Sequence, residues 1–262
     1  MNRFLLYYHE LDTHASPSQL GGPAERGLVV DADRFEQHLD AITASNRKVV
    51  SIDDALTTPT PEVDQVVITF DDGFASDYHL AMPRLVKRGM TATSYVIAGK
   101  IGVDPNYMNV DQIREMHASG MTIGSHTMSH PWLTLVDSRQ VRLELLDSKH
   151  LLEDYLGVSI DHFCLPGGHY NERIIDVALE VGYRSIASCE IGPLREEDGK
   201  LLPRFEVRRD LSPDALVDTF RESTWTRLRR LEARKAKLRH LLGLRAYSAL
   251  RSFAHRYVSL VR

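Results

Sequence analysis

Two adjacent carboxylates, Asp71 and Asp72, close an apolar run of the chain, and a glycine follows them directly. The run QVVITF at 65–70 is rich in β-branched residues and predicts a buried strand, after which Gly73 allows the backbone to turn sharply. Successive strand residues point to opposite sides, so the two carboxylates are expected to do different jobs. A plain Asp-Asp-Gly turn is the alternative, and this segment by itself favours it.

Two histidines four positions apart, His126 and His130, follow a second strand-like run, MTIGS at 121–125. A single histidine there would be an ordinary loop residue. Together with one carboxylate, the pair gives the two-nitrogen, one-oxygen donor set of catalytic zinc sites, which leaves one position for water. The same set can hold non-haem iron. A third strand-to-loop junction, HFCLPGG, follows at 162–168, and α/β barrels carry their catalytic residues at such strand ends.

Strand-like and helix-like patterns alternate along the chain, which predicts an α/β fold with a parallel sheet and crossover helices. The remaining strand-like segments are 4–8, 27–30, 48–52, 91–97 and 183–187. The clearest helical patterns begin at 33 and 78 and cover 110–118, 139–156 and 171–181. This alternation would bring the polar junctions to one end of the sheet.

The segments TFDDG at 69–73 and SHTMSHP at 125–131 resemble the first and second motifs of the polysaccharide deacetylase family. This family is also called carbohydrate esterase family four, or the nodulation-type chitooligosaccharide deacetylase homology domain. The order and separation match, and FCLPGG at 163–168 falls where the third motif would lie. The resemblance covers roughly 4–220, and the leading strand resembles the exopolysaccharide-biosynthesis branch. It implies a distorted (β/α) barrel of seven strands over 1–222, followed by a C-terminal helical tail over 223–262.

The resemblance also implies roles for the residues of the motifs. A divalent metal, with zinc favoured over other transition metals, would be held by Asp72, His126 and His130. Asp71 would act as the general base on the attacking water. Substrate and oxyanion contacts would come from Pro166, Gly167 and Gly168.

Two departures from the family pattern concern the residues around the base. Cys164 stands where the third motif usually carries an arginine, and it is expected to be a small buried residue. Arg204 could supply that charge from another strand, although a surface arginine on an edge strand is an equal alternative. The late Leu-x-His motif is absent, which leaves His9 and His169 as candidate general acids. We favour His9, because it closes a strand and should face the same rim as Asp71.

Composition is that of an ordinary globular protein of 262 residues, with 43% apolar and 26% charged residues. Two cysteines do not make a disulfide framework. The apolar run at 4–8 is too short for a signal peptide, so the expected location is the cytoplasm.

The C-terminal segment 227–262 carries a strong positive charge, with eleven Lys or Arg residues against one acid, Glu232. Its net charge is therefore +10, and the rest of the chain carries −14 to reach the total of −4. Leucines near helical spacing make it a candidate for peripheral contact with the anionic inner face of a membrane. The alternative, slightly favoured, is a helical extension that packs on the acidic barrel or on a second subunit. Nucleic-acid binding is not expected, since no known motif is present.

Taken together, these observations predict a metal-dependent hydrolase that removes N-acetyl groups from a saccharide during polysaccharide or glycolipid biosynthesis. A lipid-linked saccharide would reconcile a cytoplasmic enzyme with such a substrate. An O-acetyl esterase on the same scaffold is one alternative, because the same activated water attacks either carbonyl. A degenerate, non-catalytic saccharide-binding domain is another, because the usual arginine and late histidine are missing. An iron oxygenase is the weakest, since a spare carboxylate beside the metal serves hydrolysis better.

Overall fold

A parallel sheet dominates the computed structural model, which describes residues 1–13, 23–59, 61–195, 200–231 and 233–234. The strands are β1 (Arg3–Tyr8), β2 (Leu11–Asp12), β3 (Val30–Asp31), β4 (Lys48–Val49), β5 (Gln65–Phe70), β6 (Thr93–Val96), β7 (Thr122–Ser125), β8 (His162–Cys164), β9 (Ser185–Ala187), β10 (Leu201–Leu202) and β11 (Phe205–Glu206). The α-helices are α1 (Pro23–Arg26), α2 (Ala32–Ala44), α3 (Ile52–Thr57), α4 (Met82–Val86), α5 (Val110–Ala118), α6 (Ser138–Leu156), α7 (Glu172–Val181) and α8 (Pro213–Thr219).

Neighbouring strands of the main sheet follow the order β10, β9, β8, β7, β6, β5, β1, β11, and β4 pairs with the start of β5. All of these pairings are parallel. Parallel neighbours require crossover connections, and helices provide them from β4 through to β9. The carboxyl ends of the strands therefore meet at one rim, as the sequence pattern predicts.

The two ends of this sheet are joined by a very short segment of chain, Pro203 and Arg204. On one side Leu202 pairs with β9, and on the other Phe205 pairs with β1. One continuous segment thus links the last strand to the first and curls the sheet into a barrel. With β10 and β11 taken as one position, seven strands surround the barrel, and the predicted fold class is confirmed.

Apolar side chains fill the barrel interior, so the site must lie at its rim. Six strands contribute to one buried cluster, with Leu5, Val67, Tyr95, Cys164, Ala187 and Leu202. On β7 the position facing this cluster is Gly124, where a Cβ atom would lie 2.5 Å from Cδ1 of Tyr95. A side chain at position 124 would therefore displace the tyrosine ring from the core.

The predicted strand at 27–30 is largely wrong, since only Val30–Asp31 is extended and it pairs with β2 outside the barrel. The reason is that the Asp31 carboxylate accepts hydrogen bonds from the N–H groups of Asp33 and Arg34. This N-cap turns the chain directly into α2.

A second compact unit begins at Arg221, and its residues 222–231 and 233–234 are helical. Most of the predicted tail (235–262) and of the predicted loop (14–22) lies outside the described residues. The domain boundary at 222/223 therefore stays a prediction. In the described part of the chain, no helix combines the length and the apolarity that crossing a bilayer requires.

Candidate metal centre and active site

The two carboxylates that follow β5, Asp71 and Asp72, point in different directions. Asp72 has φ +77°, a left-handed conformation that is rare for a residue with a side chain. Gly73 follows with φ +78°, and a Cβ atom there would lie 2.8 Å from Cγ1 of Val96. Asp71 is buried in the barrel mouth, whereas Asp72 turns towards two histidines. Strained backbone of this kind costs of order 1–3 kcal/mol and persists where the surroundings enforce it.

Asp72, His126 and His130 form a compact donor cluster, with their candidate ligand atoms all within 4.8 Å of one another. Oδ1 of Asp72 lies 3.5 Å from Nε2 of His126 and 3.6 Å from Nε2 of His130. A tetrahedral ion with ligand bonds of about 2.0–2.1 Å separates its donors by about 3.3–3.5 Å. These separations fit a divalent metal such as zinc.

The protonation of the two imidazoles also fits metal binding. Nδ1 of His126 lies 2.8 Å from the carbonyl oxygen of Cys164, which can only accept, so this nitrogen carries the hydrogen. Nε2 therefore presents its lone pair to the cluster. Burial lowers the pKa of His126 to about 3 and also lowers the pKa of His130. Both rings are neutral near pH 7 and available as ligands.

The loop that carries the histidines is held by Glu144 of α6, a residue that the sequence analysis missed. Its buried carboxylate accepts hydrogen bonds from the N–H groups of Met128 and Ser129, at 3.0 and 2.8 Å, and from the Ser129 hydroxyl at 2.7 Å. His130 itself has φ +62° and donates its N–H to the Thr127 hydroxyl. The sequence did contain a signal for Glu144. It is an acidic residue that falls among the apolar positions at helical spacing, which form the buried face of α6.

Asp71 forms an ion pair with Arg204 through two hydrogen bonds of 2.7 and 2.9 Å. Burial by itself would raise the pKa of Asp71, but the charge and hydrogen bonds of Arg204 outweigh it and hold that pKa well below its usual range. Asp71 is therefore an ionised carboxylate at neutral pH. The alternative of a surface arginine on an edge strand is wrong, because the Arg204 side chain is 0% exposed.

All five N–H donors of the Arg204 guanidinium have acceptors. Besides the two bonds to Asp71, they reach the Thr69 hydroxyl (3.1 Å), the Ser188 carbonyl (2.9 Å) and Sγ of Cys164 (3.0 Å). Cys164 is buried as expected, and burial raises the pKa of its thiol. Because Cys164 is small and neutral, the Arg204 guanidinium can lie beside it, reaching there from the segment that joins β10 to β11.

The two candidate acids lie in different surroundings. His9 directly follows β1, and the Asp71 N–H donates to the carbonyl of Tyr8, so His9 shares the rim with Asp71. Nδ1 of His9 is buried without a hydrogen-bond partner among the described residues. His169 is exposed, and its ring packs against Trp132 with centroids 5.1 Å apart. The structure thus brings His9 to the predicted rim.

The third motif forms a tight turn, Pro166–Gly168, in which Gly167 and Gly168 have φ +64° and +70°. Proline has no N–H, and the N–H of Gly168 donates to the carbonyl of Leu165 at 3.0 Å. The N–H of Gly167 is therefore the candidate donor to an oxyanion. A Cβ atom on Gly168 would lie 2.5 Å from Cβ of Cys189, so this turn requires glycine.

Sequence comparison finds that residues 58–186 match the family model described as polysaccharide deacetylase. YxkH of Bacillus subtilis, a protein whose name assigns it to the polysaccharide deacetylases, is 29% identical over 216 residues, which are 80% of this chain and 73% of that protein. The peptidoglycan-N-acetylglucosamine deacetylase of Bacillus cereus is 26% identical over 133 residues, which are 50% of this chain and 60% of that enzyme.

Structural comparison finds the same barrel in solved structures. The Streptococcus pyogenes deacetylase PplD, solved in complex with acetate, superposes with a TM-score of 0.75 and 25% identity, covering 84% of this chain and 99% of PplD. IcaB from Ammonifex degensii superposes with a TM-score of 0.73 and 24% identity, covering 83% of this chain and 97% of IcaB, which supports the fold.

Proposed function

Because this chain belongs to the polysaccharide deacetylase family and is a deacetylase of the hydrolase class, we propose that it removes N-acetyl groups from a saccharide in polysaccharide or glycolipid biosynthesis. One observation carries this proposal. An ionised carboxylate, Asp71, is fixed by Arg204 next to a separate metal-ligand cluster whose carboxylate is Asp72. Two adjacent carboxylates with different partners can divide base and ligand roles.

We propose that Asp72, His126 and His130 hold a divalent metal, for which we favour zinc. When bound, such an ion acidifies a water molecule and polarises a substrate carbonyl. The neutral imidazoles and the hydrogen bond that Nδ1 of His126 donates to the Cys164 carbonyl support this assignment.

The protein side chains then handle the protons. Asp71 takes a proton from the attacking water as that water adds to the acetamide carbonyl carbon. Arg204 keeps the carboxylate ionised and fixes its direction, and the N–H of Gly167 donates to the developing oxyanion. His9 gives a proton to the nitrogen as the C–N bond breaks, and the products are acetate and a free amine.

The geometry of the site weighs differently on the two alternatives, the non-catalytic saccharide-binding domain and the O-acetyl esterase. The non-catalytic saccharide-binding domain was considered because the usual arginine and the late histidine are both missing. The two hydrogen bonds from Arg204 to Asp71 support the catalytic proposal against it, since they give the candidate base a guanidinium partner. The O-acetyl esterase remains the second candidate, since a base and a metal serve both reactions.

We further propose that the substrate is lipid-linked and that the segment 223–262 contacts an anionic inner membrane face. The charge of +10 over 227–262 supports this, together with the helical residues 222–231. Sedimentation of the full chain with anionic vesicles, but not with zwitterionic vesicles, is the expected result. Equal sedimentation with both would argue against the contact.

Acetate release is the experiment that tests the main proposal. The protein is reconstituted with zinc and given matched N-acetylated and O-acetylated oligosaccharides, with Asp71→Asn beside it. Release from N-acetylated substrates that disappears in the variant is the expected result. Release from O-acetylated substrates alone would assign the esterase, and no release despite bound metal would overturn the proposed catalysis.

A further inference from the structure

An exposed tryptophan lies beside the candidate metal site, and nothing in the proposed reaction uses it. Trp132 follows the ligand His130 by two residues, so their Cα atoms are at most about 7 Å apart. Its side chain is 48% exposed, which is unusual for so large an apolar group. The next residue, Leu133, is fully buried and anchors the backbone at this point.

The indole is held against the turn that carries the candidate oxyanion donor. A Cβ atom on Gly167 would lie 3.3 Å from Nε1 of Trp132, and the ring of His169 packs against the indole at a tilt of 57°. The loop after Trp132 is tied to α7, because Arg173 donates to the Val136 carbonyl at 3.1 Å. The exposed ring therefore has a fixed position between the second and third motifs.

We propose that Trp132, backed by His169, is a stacking platform that binds a sugar ring next to the ring that loses its acetyl group. This inference rests on the proposed function and adds to it a binding contact for the sugar ring that neighbours the deacetylated one. The C–H bonds on one side of a pyranose ring form an apolar face, which packs on the negative face of an aromatic ring. The hydroxyl groups of the sugar lie near the plane of the pyranose ring and remain hydrated.

The location favours a sugar over other apolar ligands. The neighbouring rim carries acidic and histidine side chains, which suit hydroxyl groups and would penalise burial of a fully apolar partner. A rigid aromatic group also binds at low entropic cost, because its position is fixed before the ligand arrives. The platform should thus raise affinity for longer substrates without changing the chemical step.

The test compares N-acetylglucosamine oligomers from the dimer to the hexamer as substrates for the zinc-loaded full-length protein. In Trp132→Ala we expect KM for the tetramer and hexamer to rise about tenfold with kcat within twofold of the parent, because binding contacts are lost uniformly. Trp132→Phe should keep most of the affinity. Leu135→Ala is the matched control, since Leu135 is 76% exposed in the same loop and should show no effect.

A second readout does not depend on turnover. The chain has two tryptophans, so Trp225→Phe leaves Trp132 as the sole indole. We expect the hexamer to quench or shift its emission, and the same change to be absent in Trp132→Phe, which serves as the comparison if Trp225→Phe is unstable. Acetate release with neither a KM change in Trp132→Ala nor an emission change would overturn the platform and leave the deacetylase. An emission change without acetate release would overturn the deacetylase and support the platform.

Discussion

Asp71 and Arg204 are 133 residues apart in the sequence and share two hydrogen bonds of 2.7 and 2.9 Å in the mouth of the barrel. Arg204 lies in the segment that joins the two ends of the sheet, between β10 and β11. The candidate base is therefore completed only when the barrel closes. We therefore expect changes to this ion pair to affect both stability and activity.

Replacing Arg204 should cost both stability and activity. In Arg204→Met the buried Asp71 carboxylate loses its counter-charge, and we expect destabilisation of about 3–5 kcal/mol in a urea titration. Acetate release should fall by about 100-fold or more. Arg204→Lys keeps the charge without the paired geometry and should be intermediate. The double change Asp71→Asn with Arg204→Met should be more stable than Arg204→Met alone, and a less stable double variant would contradict the ion-pair account.

Substitutions of Asp71 and Asp72 should have different effects on bound zinc. Asp72→Asn is expected to lose bound zinc, because it removes an anionic ligand of the cluster. Asp71→Asn should keep one zinc per chain and lose acetate release by about 100-fold or more. Metal content by mass spectrometry, together with chelator titration, checks both. Loss of zinc in Asp71→Asn alone would reverse the assigned roles.

Glu144 should control metal affinity through its hydrogen bonds to the loop that carries His126 and His130. Glu144→Ala leaves the N–H groups of Met128 and Ser129 without their acceptor, so the backbone that places His130 loosens. We expect zinc affinity to fall about 10–100-fold, as measured by competition with a fluorescent chelator. Asp147→Ala on the exposed face of α6 is the matched control. Equal affinities in the two variants would remove the positioning role.

His9 should matter most where the leaving group needs a proton. His9→Gln is expected to lower acetate release from N-acetylated sugars by about 100-fold while metal content stays unchanged. Hydrolysis of 4-nitrophenyl acetate should change little, because the nitrophenolate leaves without protonation. His169→Gln is the control from the competing candidate. If His169→Gln shows this pattern and His9→Gln does not, the acid is His169.

Much of the active site can be predicted from local sequence. Asp71, Asp72, His126 and His130 lie at strand ends, and in a parallel sheet such ends meet at one rim whatever the details of packing. The family resemblance adds the barrel. The predicted strand at 27–30 was largely wrong because the cap formed by Asp31 turns the chain into α2.

The roles of Arg204 and Glu144 could not be derived from their positions in the sequence. Arg204 had two equal interpretations, and only the closure of the barrel brings it to Asp71 and Cys164. Glu144 is one of several acids on a long helix, and only the packing of α6 against the histidine loop reveals its hydrogen bonds to that loop.

The sequence by itself determined which groups are present and, through strand periodicity and motif order, that the carboxylates and histidines share one rim. The tertiary structure decided which charge accompanies the candidate base Asp71 and which side chain holds the loop that carries the two histidines. The physical reason is that periodicity encodes neighbours along a strand or helix, whereas the partner of a buried charge is set by contacts between residues far apart in the chain.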